Sequence, residues 1–185
     1  MVEPASVRDH AGVRADGGPD ARAGVQVEPP VRLAVGDVAP GFDMPTGTGD
    51  VVRLSWMMGQ LVVLYFYRSD TDDTCVDWAM RFRDRHDEIR ELDAHLYGVS
   101  KDGHVSHEKL KREHGLPFPL LIDHDHRVAK RYGAWGERTQ YGRTFDGVLR
   151  SHFVIGRDGK LMDAAYNVLP EDSVKRVMEV LRGAD

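Results

Sequence analysis

The chain holds a single cysteine, Cys75, and its position is chemically suggestive. It lies eight residues past an unbroken apolar run, LVVLYFY at 61–67, and opens a stretch with helical spacing. A thiolate at a helix start faces unpaired backbone N–H groups and the positive end of the helix dipole. Both favour the anion and lower the thiol pKa. A low-pKa thiolate attacks electrophiles, peroxide oxygen among them. Position alone leaves a second reading open, a buried inert thiol that packs as a small hydrophobe. One thiol cannot close an internal disulfide, nor supply most of a structural zinc site. Cys75-Val76-Asp77-Trp78 has only the first thiol of a C-x-x-C pair, which excludes a disulfide reductase of the thioredoxin type.

Other candidate groups carry weaker signals. Asp70, Asp72, Asp73 and Asp77 read as a solvated acidic loop, since their spacing fits no calcium loop. His104 and His107 share a helical face, and His124 and His126 flank Asp125. None falls in an H-E-x-x-H pattern, and solvent-facing positions explain them better than metal ligation. Gly47-x-Gly49 lacks the third glycine and the following helix of a dinucleotide site. Neither a metal nor a cofactor is expected.

The elements that must position Cys75 follow from hydropathy. Strand-like pieces at 42–44 and 51–54 flank the turn Thr46-Gly47-Thr48-Gly49-Asp50. The 61–67 run is a buried central strand. Val76, Ala79, Phe82, His86, Ile89 and Leu92 recur at steps of three or four, which predicts one amphipathic helix over 75–92. A strand at 94–100, a helix at 104–114, a short strand at 120–122 and a short helix at 127–131 follow. Strands at 149–155 and 160–166 flank the hairpin signal Arg157-Asp158-Gly159. Pro170 opens a last amphipathic helix. Strands alternating with helices, then an antiparallel hairpin, predict a three-layer α/β domain with a mixed central sheet flanked by helices.

Composition bounds the rest. With 185 residues the chain is long enough for one domain with an appendage. Its 25 basic and 30 acidic residues leave a net charge of −5, no footprint for a nucleic-acid backbone or an anionic membrane. No apolar run approaches the ~18 residues of a membrane span. Residues 1–12 have no apolar signal core, so a cytoplasmic protein is expected. Residues 1–30, with Gly17-Gly18-Pro19 and Pro29-Pro30 and no aromatic side chain, are expected to be a disordered tail before a domain at 31–185.

Several blocks then resemble a known family. Val35-Gly36-Asp37-Val38-Ala39-Pro40-Gly41-Phe42, LVVLYFY at 61–67, HGLPFPLLID at 114–123, AKRYGAW at 129–135 and YGRTFDGVLRSHFVIGRDGK at 141–160 stand in the order and spacing of the peroxiredoxins. The resemblance is to the bacterioferritin-comigratory-protein, or PrxQ, branch, and runs from about Leu33 to the C-terminus. It implies a thioredoxin-like fold and a thiol-dependent peroxidase with Cys75 as the peroxidatic residue. Arg150 matches the family's distant arginine, which holds thiolate and peroxide. The signature P-x-x-x-T-x-x-C is altered: its proline falls on Arg68 and its threonine on Asp72. The branch's optional second cysteine, five residues on, falls on Met80.

These departures shape the expected site. The Asp72 charge near Cys75 raises the thiol pKa, opposing the helix and Arg150. Arg68 offsets it by pairing with Asp72. Alternatively Asp72 takes a proton from the hydroperoxide as a general base. Trp78 has a packing reading and a functional one, as a wall for a larger substrate. His152 likewise has two readings, a substrate contact beside Arg150 or a packed core histidine. The resemblance implies a hydroperoxide substrate, an external thiol reductant such as thioredoxin or a low-molecular-weight thiol, and a monomer or weak homodimer. A one-cysteine peroxidase slower than its relatives is the leading expectation. The alternatives are a scaffold repurposed for another reaction and a non-catalytic binding protein.

Overall fold

A computed structural model describes residues 31–184. The expected disordered tail at 1–30 lies outside them. A short antiparallel hairpin, β1 (Asp43–Pro45) and β2 (Val51–Arg53), comes first, followed by a single 3-10 turn at Leu54–Met57. Then come β3 (Leu61–Phe66), α1 (Asp73–Arg83), α2 (His86–Glu91), β4 (Ala94–Ser100), α3 (His104–His114), β5 (Leu120–Ile122) and α4 (Arg127–Arg131). A second hairpin, β6 (Trp135–Gln140) with β7 (Arg143–Val148), leads to β8 (Ser151–Ile155), β9 (Leu161–Ala165) and α5 (Pro170–Arg182).

The central sheet has the order β5-β4-β3-β8-β9. β3, β4 and β5 run parallel, while β8 pairs antiparallel with β3 and β9 antiparallel with β8, so the sheet is mixed. All six side chains of β3 are buried because both of its faces are covered. Leu61, Val63 and Tyr65 point into one core with Trp78 and Phe82 of α1 and Val177 and Leu181 of α5. Val62, Leu64 and Phe66 point into the other with Met44, Val128, Tyr132 and Phe153. The strand's two-residue period thus feeds two cores, and the domain has three layers.

Two features differ from the sequence expectation. The single helix expected over 75–92 is two helices. At the junction Arg85 N–H donates to the Phe82 carbonyl at 3.1 Å, a tightened turn, and the helical ladder restarts with Ile89 N–H on the Arg85 carbonyl at 3.0 Å. The apolar spacing runs through this break, which is why periodicity alone joins the two. The β6–β7 hairpin is the second. Its turn, Tyr141-Gly142, has φ of +51° and +72°, the backbone of a two-residue primed turn without its usual asparagine. Its strands are mostly half-buried or exposed, so no clean alternation marks them. This hairpin brings Arg138 to the site.

Candidate active site

The site forms at the C-terminal end of β3, where ligands bind in open α/β sheets. The chain leaves β3 through Tyr67, turns over Arg68–Thr71, and enters α1. Asp72 is the N-cap: its Oδ1 accepts the Cys75 backbone N–H at 3.0 Å. Cys75 therefore occupies the first turn of α1, and its side chain is 1% exposed. The Arg68 backbone N–H donates to Cys75 Sγ at 3.4 Å. Arg68 also turns its guanidinium back onto the Asp72 carboxylate, Nη2 to Oδ2 at 3.5 Å. The expected Arg68–Asp72 pair is formed.

The electrostatics correct one expectation. Burial pushes the Cys75 thiol up; the N–H groups of Arg68 and Ser69 pull it down; Asp72 pushes it up again, and the net shift is upward. A depressed thiol was expected from the helix start. Burial of the sulfur is the larger reason for the difference, and the Asp72 carboxylate that caps α1 adds a negative charge beside it. Burial also opposes ionisation of Asp72, but the Cys75 N–H, Arg68 and Arg150 hold its carboxyl below the usual range.

Arg150 lies in the short link between β7 and β8. Val168 N–H donates to its carbonyl at 3.0 Å, and the preceding Leu149 N–H donates to Ala134 at 2.9 Å, so the link is pinned from both sides. Arg68, Arg138 and Arg150 line one cavity of about 290 Å³.

Trp78 and His152 are elsewhere. Trp78 is fully buried against Tyr65 and Phe82, and its Nε1–H donates to Ser173 Oγ at 3.2 Å. His152, also fully buried, bonds Ser173 Oγ at 2.8 Å and Asp163 Oδ2 at 2.9 Å. Asp163 in turn pairs with Arg176. Both side chains are satisfied inside the layer between the sheet and α5, so the packing readings describe them and the substrate-contact readings do not.

A buried network missed in the sequence holds the loop that carries Arg68 and Asp72. Asp70 is 7% exposed, not solvated. Its Oδ1 accepts from Tyr67 Oη at 2.6 Å, and its Oδ2 from Ser106 Oγ at 2.6 Å and His107 Nδ1 at 2.8 Å. His107 is fully buried rather than solvent-facing, and its Nε2 lies 3.2 Å from the Leu121 carbonyl. Both ring nitrogens face oxygen atoms, so the ring is held at its two polar ends. Asp70 N–H donates to Asp102 Oδ2 at 3.0 Å. The network ties the loop to α3 and the end of β4. An aspartate two residues before the N-cap, with a histidine on a later helix, was the only available signal.

Comparison with known proteins agrees with this architecture. The AhpC/TSA family model matches residues 35–164. Peroxiredoxin Bcp of Bacillus subtilis is 35% identical over 150 residues, covering 81% of this chain and 96% of its own. The crystal structure of peroxidoxin BcpB from Mycobacterium tuberculosis superposes with a TM-score of 0.73 at 29% identity, covering 83% of this chain and 99% of that one. The bacterioferritin comigratory protein of Xanthomonas campestris, described for its alkyl peroxide reduction activity, superposes with a TM-score of 0.75 at 25% identity, covering 82% and 98%.

Proposed function

Since the chain belongs to the AhpC/TSA family, in its bacterioferritin-comigratory-protein branch, we propose that Cys75 is the sulfur through which it reduces hydroperoxides. It is a thiol-dependent peroxidase with a thioredoxin-like fold. One observation carries the residue assignment: Cys75 Sγ, in the first turn of α1, accepts the backbone N–H of Arg68, a residue that lines a cavity together with Arg150.

The chemistry needs two half-reactions. Cys75 reacts as the thiolate, its proton released to solvent against the opposing charge of Asp72. The thiolate attacks the distal peroxide oxygen; the S–O bond forms as the O–O bond breaks. Sulfur gives up two electrons and becomes a sulfenic acid, and the departing oxygen takes a proton to leave as water or an alcohol. In this reading Arg150 stabilises the negative charge growing on that oxygen, while Arg68 and Asp72 shape the cavity. An external thiol then condenses with the sulfenic acid, releasing water and forming a mixed disulfide. A second thiol frees Cys75. The sequence has no other cysteine to do this internally.

Thioredoxin or a low-molecular-weight thiol as reductant, a monomer or weak homodimer, and residence in the cytoplasm belong to the same proposal. Among the described residues no helix is long and apolar enough to cross a membrane.

The test is turnover of hydrogen peroxide with dithiothreitol as reductant. The wild-type chain consumes peroxide catalytically and Cys75→Ser does not. Equal consumption by the two would remove Cys75 from the mechanism.

A further inference from the structure

The cavity beside Cys75 carries more positive charge than reduction of hydrogen peroxide requires. Arg68, Arg138 and Arg150 share it, and among the described residues no acidic side chain lines it. Asp72 pairs with Arg68 and answers one of the three charges. The remaining lining is polar, with Thr139, Gln140 and Asn167, save for Val148 and Leu149. At about 290 Å³ it admits a compact molecule and offers little apolar wall to an alkyl chain.

Arg138 is placed there by the hairpin. It sits on β6, and Gly147 lies on the neighbouring β7. A Cβ at Gly147 would meet Arg138 Cδ at 3.2 Å and Nη1 at 3.4 Å, so the missing side chain is what lets the Arg138 stem lie flat across the strand. Its guanidinium carbon stands 5.4 Å from the Phe145 ring centroid, a cation–π contact that steadies it. Burial first, then the charges of Arg68 and Arg150, press the Arg138 pKa downward, and Asp72 and Cys75 offset this only in part.

We infer that this cavity selects hydroperoxides bearing a carboxylate close to the peroxide group, with Arg138 as the specificity-determining residue. The inference rests on Cys75 being the peroxidatic sulfur. The anion gives the trio the counter-charge it lacks, and guanidinium groups bind carboxylates with paired hydrogen bonds. The reaction is the one already written, with the departing oxygen leaving as a hydroxy acid. Neutral alkyl hydroperoxides gain nothing from the cavity.

The probes are 2-hydroperoxy-2-methylpropanoic acid, its methyl ester and tert-butyl hydroperoxide, the first anionic at neutral pH and the other two neutral. Single-turnover oxidation of Cys75 is followed by intrinsic fluorescence, and each rate is divided by that for free cysteine to remove leaving-group effects. The normalised rate for the acid should exceed that for the ester by about tenfold or more at low salt, and the ratio should shrink as salt is added. In Arg138→Gln the ratio should fall towards one, and in Arg138→Lys it should survive in part. A wild-type ratio near one, or a ratio untouched by Arg138→Gln, overturns the inference. The salt series on the wild-type chain decides the matter should Arg138→Gln fail to fold. Hydrogen peroxide, run on the same protein, keeps the two readings apart: rapid oxidation by it with no preference for the acid sinks the selectivity alone.

Discussion

Asp72 Oδ1 accepts the backbone N–H of Cys75 at 3.0 Å, and the same carboxylate pushes the thiol of that residue upward. One side chain thus starts the helix and restrains the thiol. In the family signature a neutral threonine falls at this position. Here the N-terminus of α1 is well capped and its pull on the sulfur is spent on a carboxylate.

Asp72→Asn separates these roles. Asparagine keeps the capping acceptor and removes the charge. The thiol pKa should fall, and oxidation by hydrogen peroxide at neutral pH should quicken by roughly three- to tenfold as the thiolate fraction grows. Ultraviolet titration of the thiolate and stopped-flow kinetics read both. Asp72→Ala should also lose about 1 kcal/mol of stability with the cap. A thiol that titrates unchanged in Asp72→Asn contradicts the assignment.

The raised thiol also fixes the pH profile. Only the thiolate reacts, so the logarithm of the oxidation rate should climb with unit slope through neutral pH, levelling above the ordinary thiol range of about 8.5. Folding responds in the opposite sense. The native thiol holds its proton more tightly than the unfolded one, so stability should decline as pH rises past that ordinary value. A rate already flat at neutral pH would show a depressed thiol instead.

The Asp70–His107 pair should be costly to break. Asp70→Asn removes the carboxylate that Tyr67, Ser106 and His107 all bond and should destabilise the fold by about 3 kcal/mol in urea unfolding. Burial opposes the ionisation of Asp70, but His107, Ser106 and Tyr67 hold its carboxyl below the usual range. Its contribution is therefore present in full above the ordinary carboxylate pKa and is lost as pH falls through the depressed native value. The acid limb of the stability curve should be shallower in Asp70→Asn. An effect within half a kcal/mol would place the pair among surface ion pairs.

Tyr65 should tolerate the loss of its hydroxyl. Its Oη is buried and, among the described residues, has no hydrogen-bond partner. Tyr65→Phe keeps the ring packed against Trp78 and Phe82 and removes an unsatisfied polar atom. Stability should rise by about 1 kcal/mol. A fall of that size would mean the hydroxyl makes an interaction through water.

The fold was legible where side chains are buried on both faces or repeat cleanly. The LVVLYFY run, the 104–114 helix and the Arg157-Asp158-Gly159 hairpin all stand where hydropathy puts them. The α1–α2 break was hidden because Phe82 and Ile89 keep the helical spacing across it. The β6–β7 hairpin was hidden because its residues are half-exposed and its turn uses tyrosine at positive φ. At the site, Cys75, Asp72, Arg68 and Arg150 could be named from spacing and resemblance. Arg138 could not, since its place depends on a long-range pairing and on the absence of a side chain at Gly147. Asp70 and His107 looked solvated because polarity in sequence does not reveal burial; only the packing of α3 over the loop does. Trp78 and His152 are near the site in sequence and turned into the core by the geometry of α1 and β8.

The most direct test of the central claim is the second-order rate constant for oxidation of Cys75 by hydrogen peroxide at neutral pH, set beside that of free cysteine. Arg150 and the N–H donors around Sγ should raise the reactivity of each thiolate by more than the upward thiol shift removes, giving a rate about tenfold or more above free cysteine. A rate at or below free cysteine would contradict the peroxidatic assignment, and would leave Cys75 a core thiol in the first turn of a helix.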